Sequence, residues 1–432
     1  MNPSNELHIV KMKYDEAFQK ASLQFNNLDL ARSRAAHARW KSIENLDSYL
    51  IEFEANFIKN GGKIIWAQDS LEAIDAIIEI SKNASAQTIL KSKSSTAEEV
   101  LLKERVRLEG FDIIETDAGD YIADSMNEHS GHMVLPAIHK SIEEINTHFG
   151  LNNLSPEQLV DVIRNRLREL YLSAEIGITG CNFLIADPGA IVITENEGNA
   201  QLCASIPKTH IVLTGFDKIL PSLNYLDLFL PLLSTYGTGQ KLTAYNSIIT
   251  GPRQVDDLDG PEELYVIIID NGRSDVLGHE VQRQAATCIK CGACQFNWPV
   301  YMSDPDGAYP NPLSAVTDPL KDNFETQEEA VRNSLLDGNL TDICPVKIDI
   351  QKMLIENRKE SVEKGLESRA NKLFYFFWKK AMLNRDIMNW KGIKAGKYIM
   401  EGLYKSDQDL RETPTIVSQS FNEQWREKLN IK

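Results

Sequence analysis

The sequence predicts an α/β fold with a mixed sheet, preceded by an N-terminal helical segment and followed by a C-terminal helical module. Short apolar runs alternate with amphipathic stretches over residues 61–150, which is typical of parallel strands covered by helices. A hairpin pattern near Pro188 adds antiparallel pairing. Three closely spaced cysteines then begin a region of helical patterns. At about 150 residues per domain, a chain of 432 residues suggests two or three domains. The patterns divide the chain into four predicted parts: 1–60, 61–275, 276–405 and a polar tail over 406–432.

The first half of the chain alternates between helical and strand patterns. Apolar side chains at spacings of three and four predict helices over 18–40 and 46–57, which end at Asn60-Gly61-Gly62. Strands are predicted at 63–67, 88–90, 111–114 and 132–135. Helices are predicted at 70–80, 96–108, 121–128 and 142–149. The first of these has Asp69 or Ser70 as its expected cap.

The second half of the α/β region adds antiparallel strands. Ser155-Pro156-Glu157 is a good start signal for an amphipathic helix over 155–174. The apolar runs 183–185 and 191–193 flank Asp187-Pro188-Gly189 and predict a hairpin. Two further apolar strands are predicted at 210–213 and 264–269.

The C-terminal region is predicted to be helical over 327–405, and the tail after Ser406 is expected to be poorly ordered. One helical stripe in it is strongly apolar. We expect this stripe to pack on the cysteine-containing module, with docking to a partner or to a membrane surface as alternatives. The stripe consists of Leu373, Phe374, Phe377, Trp378, Ala381 and Met382.

Composition excludes several classes of protein. The chain has 46 Lys and Arg against 62 Asp and Glu, a formal net charge of −16, whereas nucleic-acid binders are usually basic. No apolar run approaches the roughly 20 residues of a membrane helix. The N-terminus lacks the layout of a signal peptide. We therefore expect a cytoplasmic protein with no integral membrane segment and no nucleic-acid partner.

Four of the six cysteines form a ferredoxin-like pattern. Cys288, Cys291 and Cys294 are spaced C-x2-C-x2-C, and Cys344 precedes a proline. In ferredoxin modules such a run and a distant Cys-Pro together bind one [4Fe–4S] cluster, which we predict here. A four-cysteine zinc site, or free thiols, are the alternatives, although structural zinc usually uses two C-x2-C pairs. Cys181 and Cys203 are expected to be small buried apolar residues.

The ligands of a second cluster are missing as a set. Two-cluster modules repeat the run C-x2-C-x2-C-x3-C-P, and the fourth cysteine of each run binds the other cluster. The corresponding positions here hold Trp298, Ser334, Asp337 and Leu340. All four belong to the same cluster under this rule, so we predict that one cluster is retained and one is lost. Trp298 is expected to fill the vacated space.

Polar side chains follow several predicted strands and turns, where α/β sheets bind ligands. They predict a pocket for a small acid, whose carboxylate would pair with Lys93, Lys208 or Arg253. Ordinary turn and capping roles are the alternative. The pocket candidates are Lys93, Glu115, Asp117, His139, Glu197, Asn199, Lys208 and Arg253. His210 is similarly polar but begins a strand.

A set of short motifs runs along nearly the whole chain and is specific only in combination. The motifs include Lys91-Ser92-Lys93-Ser94, Leu135-Pro136-Ala137-Ile138-His139-Lys140, Pro207-Lys208-Thr209-His210, Ile249-Thr250-Gly251-Pro252-Arg253, Cys288 to Cys294 and Cys344-Pro345-Val346-Lys347-Ile348. With them the chain resembles the lactate utilisation protein B family, the iron–sulfur subunit of bacterial L-lactate oxidation systems. The resemblance implies an α/β LUD domain, similar to sugar-phosphate isomerase and CoA-transferase-like folds, and a C-terminal α-helical ferredoxin module.

The resemblance also implies an activity. Family members look like subunits of a three-protein cytoplasmic complex that oxidises lactate to pyruvate. We predict an electron-transfer subunit that carries one [4Fe–4S] cluster instead of the family's two, with any flavin on a partner subunit. No catalytic residue is identified. The alternative is a non-redox scaffold or metabolite-binding regulator in which the cluster is structural or absent.

Overall fold

The computed structural model describes residues 3–126, 140–151, 154–299, 311–327, 331, 335–336, 338–384 and 421–429. The predicted strand at 132–135 lies outside these residues. The chain forms two compact units, residues 1–360 and 361–432. The first unit contains both sheets and the four clustered cysteines.

The main sheet has six strands in the order β1-β10-β7-β4-β2-β3, and all neighbours are parallel. Its strands are β1 Lys63–Ala67, β2 Thr88–Lys91, β3 Asp112–Glu115, β4 Ile176–Thr179, β7 Thr209–Gly215 and β10 Glu263–Ile269. Since the strands all run the same way, their carboxyl ends meet at one edge, where α/β sheets bind ligands. The residues that follow β2 and β3 therefore lie at that edge.

A second, four-stranded sheet has the order β8-β5-β6-β9. Its strands are β5 Phe183–Asp187, β6 Ala190–Glu195, β8 Ile219–Ser222 and β9 Tyr245–Ile249. The predicted hairpin is confirmed, with Phe183 opposite Val192 in antiparallel pairing. β5 pairs with β8 in parallel. The sequence predicts a single mixed sheet, and the structure confines the mixed pairing to this smaller one.

The second sheet separates two apolar cores, which explains why its strands are apolar on both faces. Leu184 and Ala186 of β5 pack with Val212 and Val266 of the main sheet. Phe183 and its alternate neighbours on β5 face the other way, into the core that contains the clustered cysteines. The cysteine region therefore lies against the outer face of the second sheet.

Helices occur before, between and after the strands along the chain. They are α1 Pro3–Ser22, α2 Leu28–Glu44, α3 Leu46–Lys59, α4 Ser70–Asn83, α5 Ser95–Glu99, α6 Leu102–Leu108, α7 Ala118–Ser125, α8 Ile142–His148, α9 Pro156–Ser173, α10 Asn199–Ser205, α11 Leu226–Thr238, α12 Arg273–Gly278, α13 Ala293–Phe296, α14 Ser314–Lys321, α15 Asn339–Ile343, α16 Ile350–Glu363, α17 Arg369–Met382 and α18 Phe421–Lys428. Short 3-10 turns span Phe216–Lys218, Leu223–Tyr225 and Gln282–Thr287. In the described residues, no helix is long and apolar enough to cross a membrane.

Side-chain caps place most helix starts. Asp69 caps α4, as predicted, by accepting from the Leu71 and Glu72 N–H groups, and Ser155 caps α9 through a capping box. The predicted helix over 96–108 is instead divided in two at Leu101, whose φ is +54°. Periodicity does not detect such a break because the apolar spacing continues across it.

Two other predicted helices differ at their ends. The helix predicted over 18–40 is interrupted between α1 and α2, where Asn27 caps α2 by accepting from the Leu30 N–H. In the tail, where poor order was expected, α18 forms an eight-residue helix. Four residues of the apolar stripe of α17, which was expected to pack, are about half exposed: Leu373, Phe374, Phe377 and Trp378.

Candidate functional site

Four cysteine side chains from two distant parts of the chain lie close together. Cys288, Cys291 and Cys294 lie in and before α13, and Cys344 follows α15, which contacts α13. Cys291 and Cys344 are buried, and the other two are partly buried. Burial raises the pKa of the Cys291 thiol well above its usual value, and the charges of the other three thiols raise it further. Four such thiols ionise together only beside a compensating positive centre.

Backbone N–H groups are directed at these sulfurs. The Lys290 N–H donates to Cys288 Sγ at 3.2 Å. Burial raises the pKa of Cys344 to about 11, and hydrogen bonds from the N–H groups of Ile348 and Val346 oppose that rise. An N–H donor stabilises the thiolate over the thiol, because it interacts more strongly with a full negative charge. The loops are therefore shaped to hold sulfur anions.

The backbone in both cysteine loops adopts a conformation that is unusual for L-residues. Lys290 and Lys347 have φ values of +56° and +52°, and Gly292 has +78°. Lys290 and Lys347 are two of the five non-glycine residues with positive φ in the described part of the chain. A left-handed residue in a loop turns successive N–H groups inward, which forms an anion-binding concavity. Such strain is concentrated at functional sites.

Two positions of the missing second ligand set are filled by packing. Trp298 and Leu340 are each 1% exposed, and both belong to the apolar core that contains Cys291 and Cys344. Their bulk occupies volume that would otherwise be a costly cavity. The other two positions, 334 and 337, lie outside the described residues.

The chemistry of this donor set fits an iron–sulfur cluster. Thiolates with N–H donors are typical iron–sulfur ligands. Among the described residues, no group of three or more His, Cys, Asp or Glu side chains is placed to hold a metal ion. A zinc ion with Zn–S bonds of about 2.3 Å would bring its sulfurs within about 4 Å of one another. A cluster separates them further, since each thiolate binds a different iron.

Helix α2 holds both cysteine loops through two arginines. Arg32 Nε and Nη2 donate to the Cys344 carbonyl oxygen at 3.2 and 2.9 Å. Arg39 is buried and donates to the carbonyls of Ala286 and Thr287, just before the first cysteine, at 2.9 and 3.1 Å. The N-terminal helical segment thus positions both parts of the cysteine site.

A buried charge network lies beside the first cysteine loop. Arg273 donates to Asp217 Oδ1 at 3.0 Å and to Glu99 Oε2 at 2.7 Å, and Lys321 Nζ lies 3.0 Å from Glu99. Burial is the largest single influence and opposes the ionisation of both carboxyls, but the charges of Arg273 and the neighbouring cations together outweigh it and lower both pKa values to about 2. The network therefore ties α5, at the end of β2, to α12 and α14.

The substitution Glu99→Gln is expected to reduce stability in a pH-dependent way. The folded-state pKa of Glu99 lies below its usual 4.5, so its contribution is full above about pH 5 and is lost as pH falls toward 2. We expect the variant to lose about 2 kcal/mol of unfolding free energy at pH 6, and a smaller difference in urea unfolding at pH 3. The exposed Glu79→Gln is the control. A loss that is constant with pH would contradict the ion-pair explanation.

A separate group of titratable side chains lies at the carboxyl ends of β2 and β3. Lys91 is fully buried, and its Nζ donates to Glu98 at 2.7 Å and to Glu115 at 2.8 Å. Burial raises the pKa of Glu115 to about 7, although the charge of Lys91 opposes this. The Lys91 ammonium therefore donates its hydrogen bonds to two carboxylates of the protein itself.

Lys93, two residues further along, is different. Its Nζ is shielded from solvent and has no hydrogen-bond partner among the described residues. Burial lowers the pKa of Lys93, while the charges of Asp120, Asp117 and Glu197 oppose this. Asn199 is buried nearby and donates to a threonine hydroxyl that bonds the end of β2. An orphaned buried ammonium is costly, so this site is suited to a ligand that accepts its hydrogen bonds.

The other predicted pocket residues lie elsewhere. Lys208 precedes β7 and Arg253 pairs with Glu262, next to the start of β10, at 2.9 Å. Both therefore lie at the amino ends of the strands, at the edge opposite Lys93. His139 lies outside the described residues. His210 is buried against a threonine hydroxyl at 2.8 Å, and burial lowers its pKa to about 3, so its ring is neutral.

Sequence reasoning missed several residues of both sites. Lys91 could have been singled out, because a lysine at the end of an apolar strand needs a buried partner. Asp120 sits one turn after the cap Asp117, where an acidic residue is ordinary. Arg32 and Arg39 give no local signal, because the carbonyls to which they donate lie 178 or more residues away.

Comparisons with known proteins agree along most of the chain. The family described as LUD domain matches residues 50–269. A protein of Escherichia coli (strain K12), named uncharacterized electron transport protein YkgF, is 34% identical over 411 residues, 90% of this chain and 86% of that protein. Lactate utilization protein B of Geobacillus thermodenitrificans (strain NG80-2) is 41% identical over 354 residues, 79% and 74% of the two chains. The crystal structure of a DUF162 family protein from Deinococcus radiodurans aligns with a TM-score of 0.31 and 16% identity, covering 52% of this chain and 98% of that one.

Proposed function

Because the chain belongs to the lactate utilisation protein B family, we propose that it is an iron–sulfur electron-transfer subunit for lactate oxidation. It would serve a cytoplasmic complex that converts L-lactate, or a similar 2-hydroxy acid, to pyruvate, with other subunits as partners. The observation that carries the proposal is the convergence of four thiols in one site lined by N–H donors. The name of the Escherichia coli relative, an electron transport protein, supports the same role.

In this proposal each residue of the site has a defined task. A [4Fe–4S] cluster, when bound, supplies one-electron transfer. Cys288, Cys291, Cys294 and Cys344 would each bind one iron. The N–H donors on the sulfurs favour the more negative reduced state, and the apolar surroundings disfavour it, so the two together set the potential. Arg32 and Arg39 hold the loops so that the four thiolates keep their separation.

We propose one cluster rather than two. Packing supports this, because Trp298 and Leu340 are buried where two ligands of a second cluster would stand. The test is iron and acid-labile sulfide analysis of anaerobically purified protein, with an electron paramagnetic resonance spectrum before and after dithionite. We expect about four irons and a signal on reduction. About eight irons would overturn the one-cluster proposal, and no iron would favour a scaffold or regulator.

A second candidate function, metabolite binding, is favoured by the orphaned Lys93 Nζ. We propose that the carboxylate of a small acid accepts its hydrogen bonds. Burial raises the pKa of Asp120, and its carboxyl could then accept from a hydroxyl of the same acid. This function does not require a redox-active cluster, so the chain could carry it as a regulator.

The substitution Lys93→Met is expected to weaken binding of L-lactate or pyruvate about tenfold or more, since a charge-assisted hydrogen bond contributes about 1.5–3 kcal/mol. Isothermal titration calorimetry measures it. Lys208→Met, at the opposite edge of the sheet, is the matched control and should bind like wild type. Equal affinity in both variants, or no heat with either acid, would remove this pocket.

A further inference from the structure

Helix α17 is amphipathic and carries charges of one sign only. Bulky apolar residues recur on one face at helical spacing. They are Leu373, Phe374, Phe377 and Trp378. The opposite face carries the basic residues Arg369, Lys372, Lys379 and Lys380, with Phe376 among them. No Asp or Glu occurs within the helix.

Among the described residues, the side chains on the apolar face of α17 are exposed. The exposed fractions are 59% for Leu373, 44% for Phe374, 60% for Phe377 and 49% for Trp378. Tyr375 and Phe376, which lie between them in sequence, are 58% and 52% exposed. Single exposed apolar residues are ordinary, but a contiguous exposed patch marks an interaction surface.

The charge of α17 is opposite to that of the rest of the chain. The helix contributes +4 and the whole chain carries −16, so the remainder carries −20. Lys380 Nζ lies 4.5 Å from the centre of the Phe376 ring, so basic groups stand directly beside exposed aromatic rings. Lysine and arginine flanking an apolar aromatic face are typical of helices that lie in the interface of an anionic membrane.

We propose that α17 docks the protein onto an anionic phospholipid surface. The face formed by Leu373, Phe377 and Trp378 would enter the boundary between head groups and acyl chains. Lys379 and Lys380 would contact the lipid phosphates. This placement requires no membrane-spanning helix, since an interfacial helix lies in the plane of the surface. The proposed docking does not depend on the cluster, and so it does not depend on the proposed electron transfer.

Vesicle co-sedimentation of the full-length protein tests the proposal. We expect binding to vesicles of phosphatidylcholine mixed with phosphatidylglycerol, and little to phosphatidylcholine alone. Binding should fall as salt rises from about 0.1 M to about 1 M, because the Debye length shortens from about 10 Å to about 3 Å. If the protein does not bind the anionic vesicles, the proposal is wrong. That outcome includes the case in which α17 binds another protein instead of a membrane.

Variants separate the apolar and charged contributions. Each lysine near an anionic surface raises partitioning about fivefold, so Lys379→Glu with Lys380→Glu should lower it more than about 25-fold. Phe377→Ser with Trp378→Ser should also remove most binding. Phe421→Ser with Trp425→Ser is the matched control, because these rings are also exposed but lie on α18, which carries as many acidic as basic residues. Equal loss in the control, or none in the α17 variants, would refute docking by α17. All variants should keep wild-type iron content.

Discussion

Replacing Cys344 with alanine is expected to lower the iron content from about four atoms per chain to nearly none. Cys344 is the only proposed ligand outside the Cys288–Cys294 run, and it is buried against the same core. Without it, one iron loses its thiolate in a site that burial keeps from water. A cluster with an open, unligated iron is labile, so we expect it to be lost during purification rather than kept with three ligands.

The measurement is iron and sulfide content together with the signal of the dithionite-reduced protein. Cys181→Ala is the matched control, since Cys181 is also a buried free thiol but bonds the Thr214 hydroxyl in the α/β core. It should keep wild-type iron. Full iron in Cys344→Ala would show that this residue is not a ligand. Loss of iron in both variants would point to general unfolding instead.

The substitution Arg39→Met is expected to destabilise the first unit by about 3–5 kcal/mol. The Arg39 guanidinium donates to four backbone carbonyls, those of Asp217, Ile219, Ala286 and Thr287. Methionine keeps part of the apolar stem but has no donor, so all four carbonyls would lose the hydrogen bond from the guanidinium. Burial lowers the pKa of Arg39 to about 10, which still leaves it charged at neutral pH.

Urea unfolding measures this effect through the shift of the midpoint at constant slope. Arg34→Met, an exposed position on the same helix, should change stability by less than about 0.5 kcal/mol. Arg39→Lys should lie between the two, because an ammonium keeps the charge but cannot reach the carbonyls of both loops. A change below about 1 kcal/mol in Arg39→Met would mean that the carbonyls find other donors.

Much of the architecture was predictable because it is decided locally. Helix caps such as Asp69 and Ser155 act within three residues, and the hairpin of β5 and β6 needs only a turn between two apolar runs. The C-x2-C-x2-C spacing likewise carries its chemistry within seven residues. Where local signals conflict with tertiary packing, as at Leu101, the sequence pattern alone predicts a continuous helix.

The candidate sites were predictable only in part. The motifs identified polar residues near the ends of strands, but they did not show at which of the two edges of the main sheet each residue lies. Lys93 follows a strand and Lys208 precedes one, so parallel pairing places them at opposite edges. Strand order depends on which apolar faces meet across a hundred or more residues, and periodicity does not encode that.

The sequence by itself determined the family, the α/β class and the cysteine set, because each rests on residue identity and short spacing. Only the tertiary structure decided which polar residues meet. It brought Cys344 to the first three cysteines, placed Arg39 beneath both the cysteine loop and the second sheet, and left Lys93 without a partner. The physical reason is that burial and hydrogen-bond satisfaction are properties of the whole packed chain, whereas a motif records only neighbours along it.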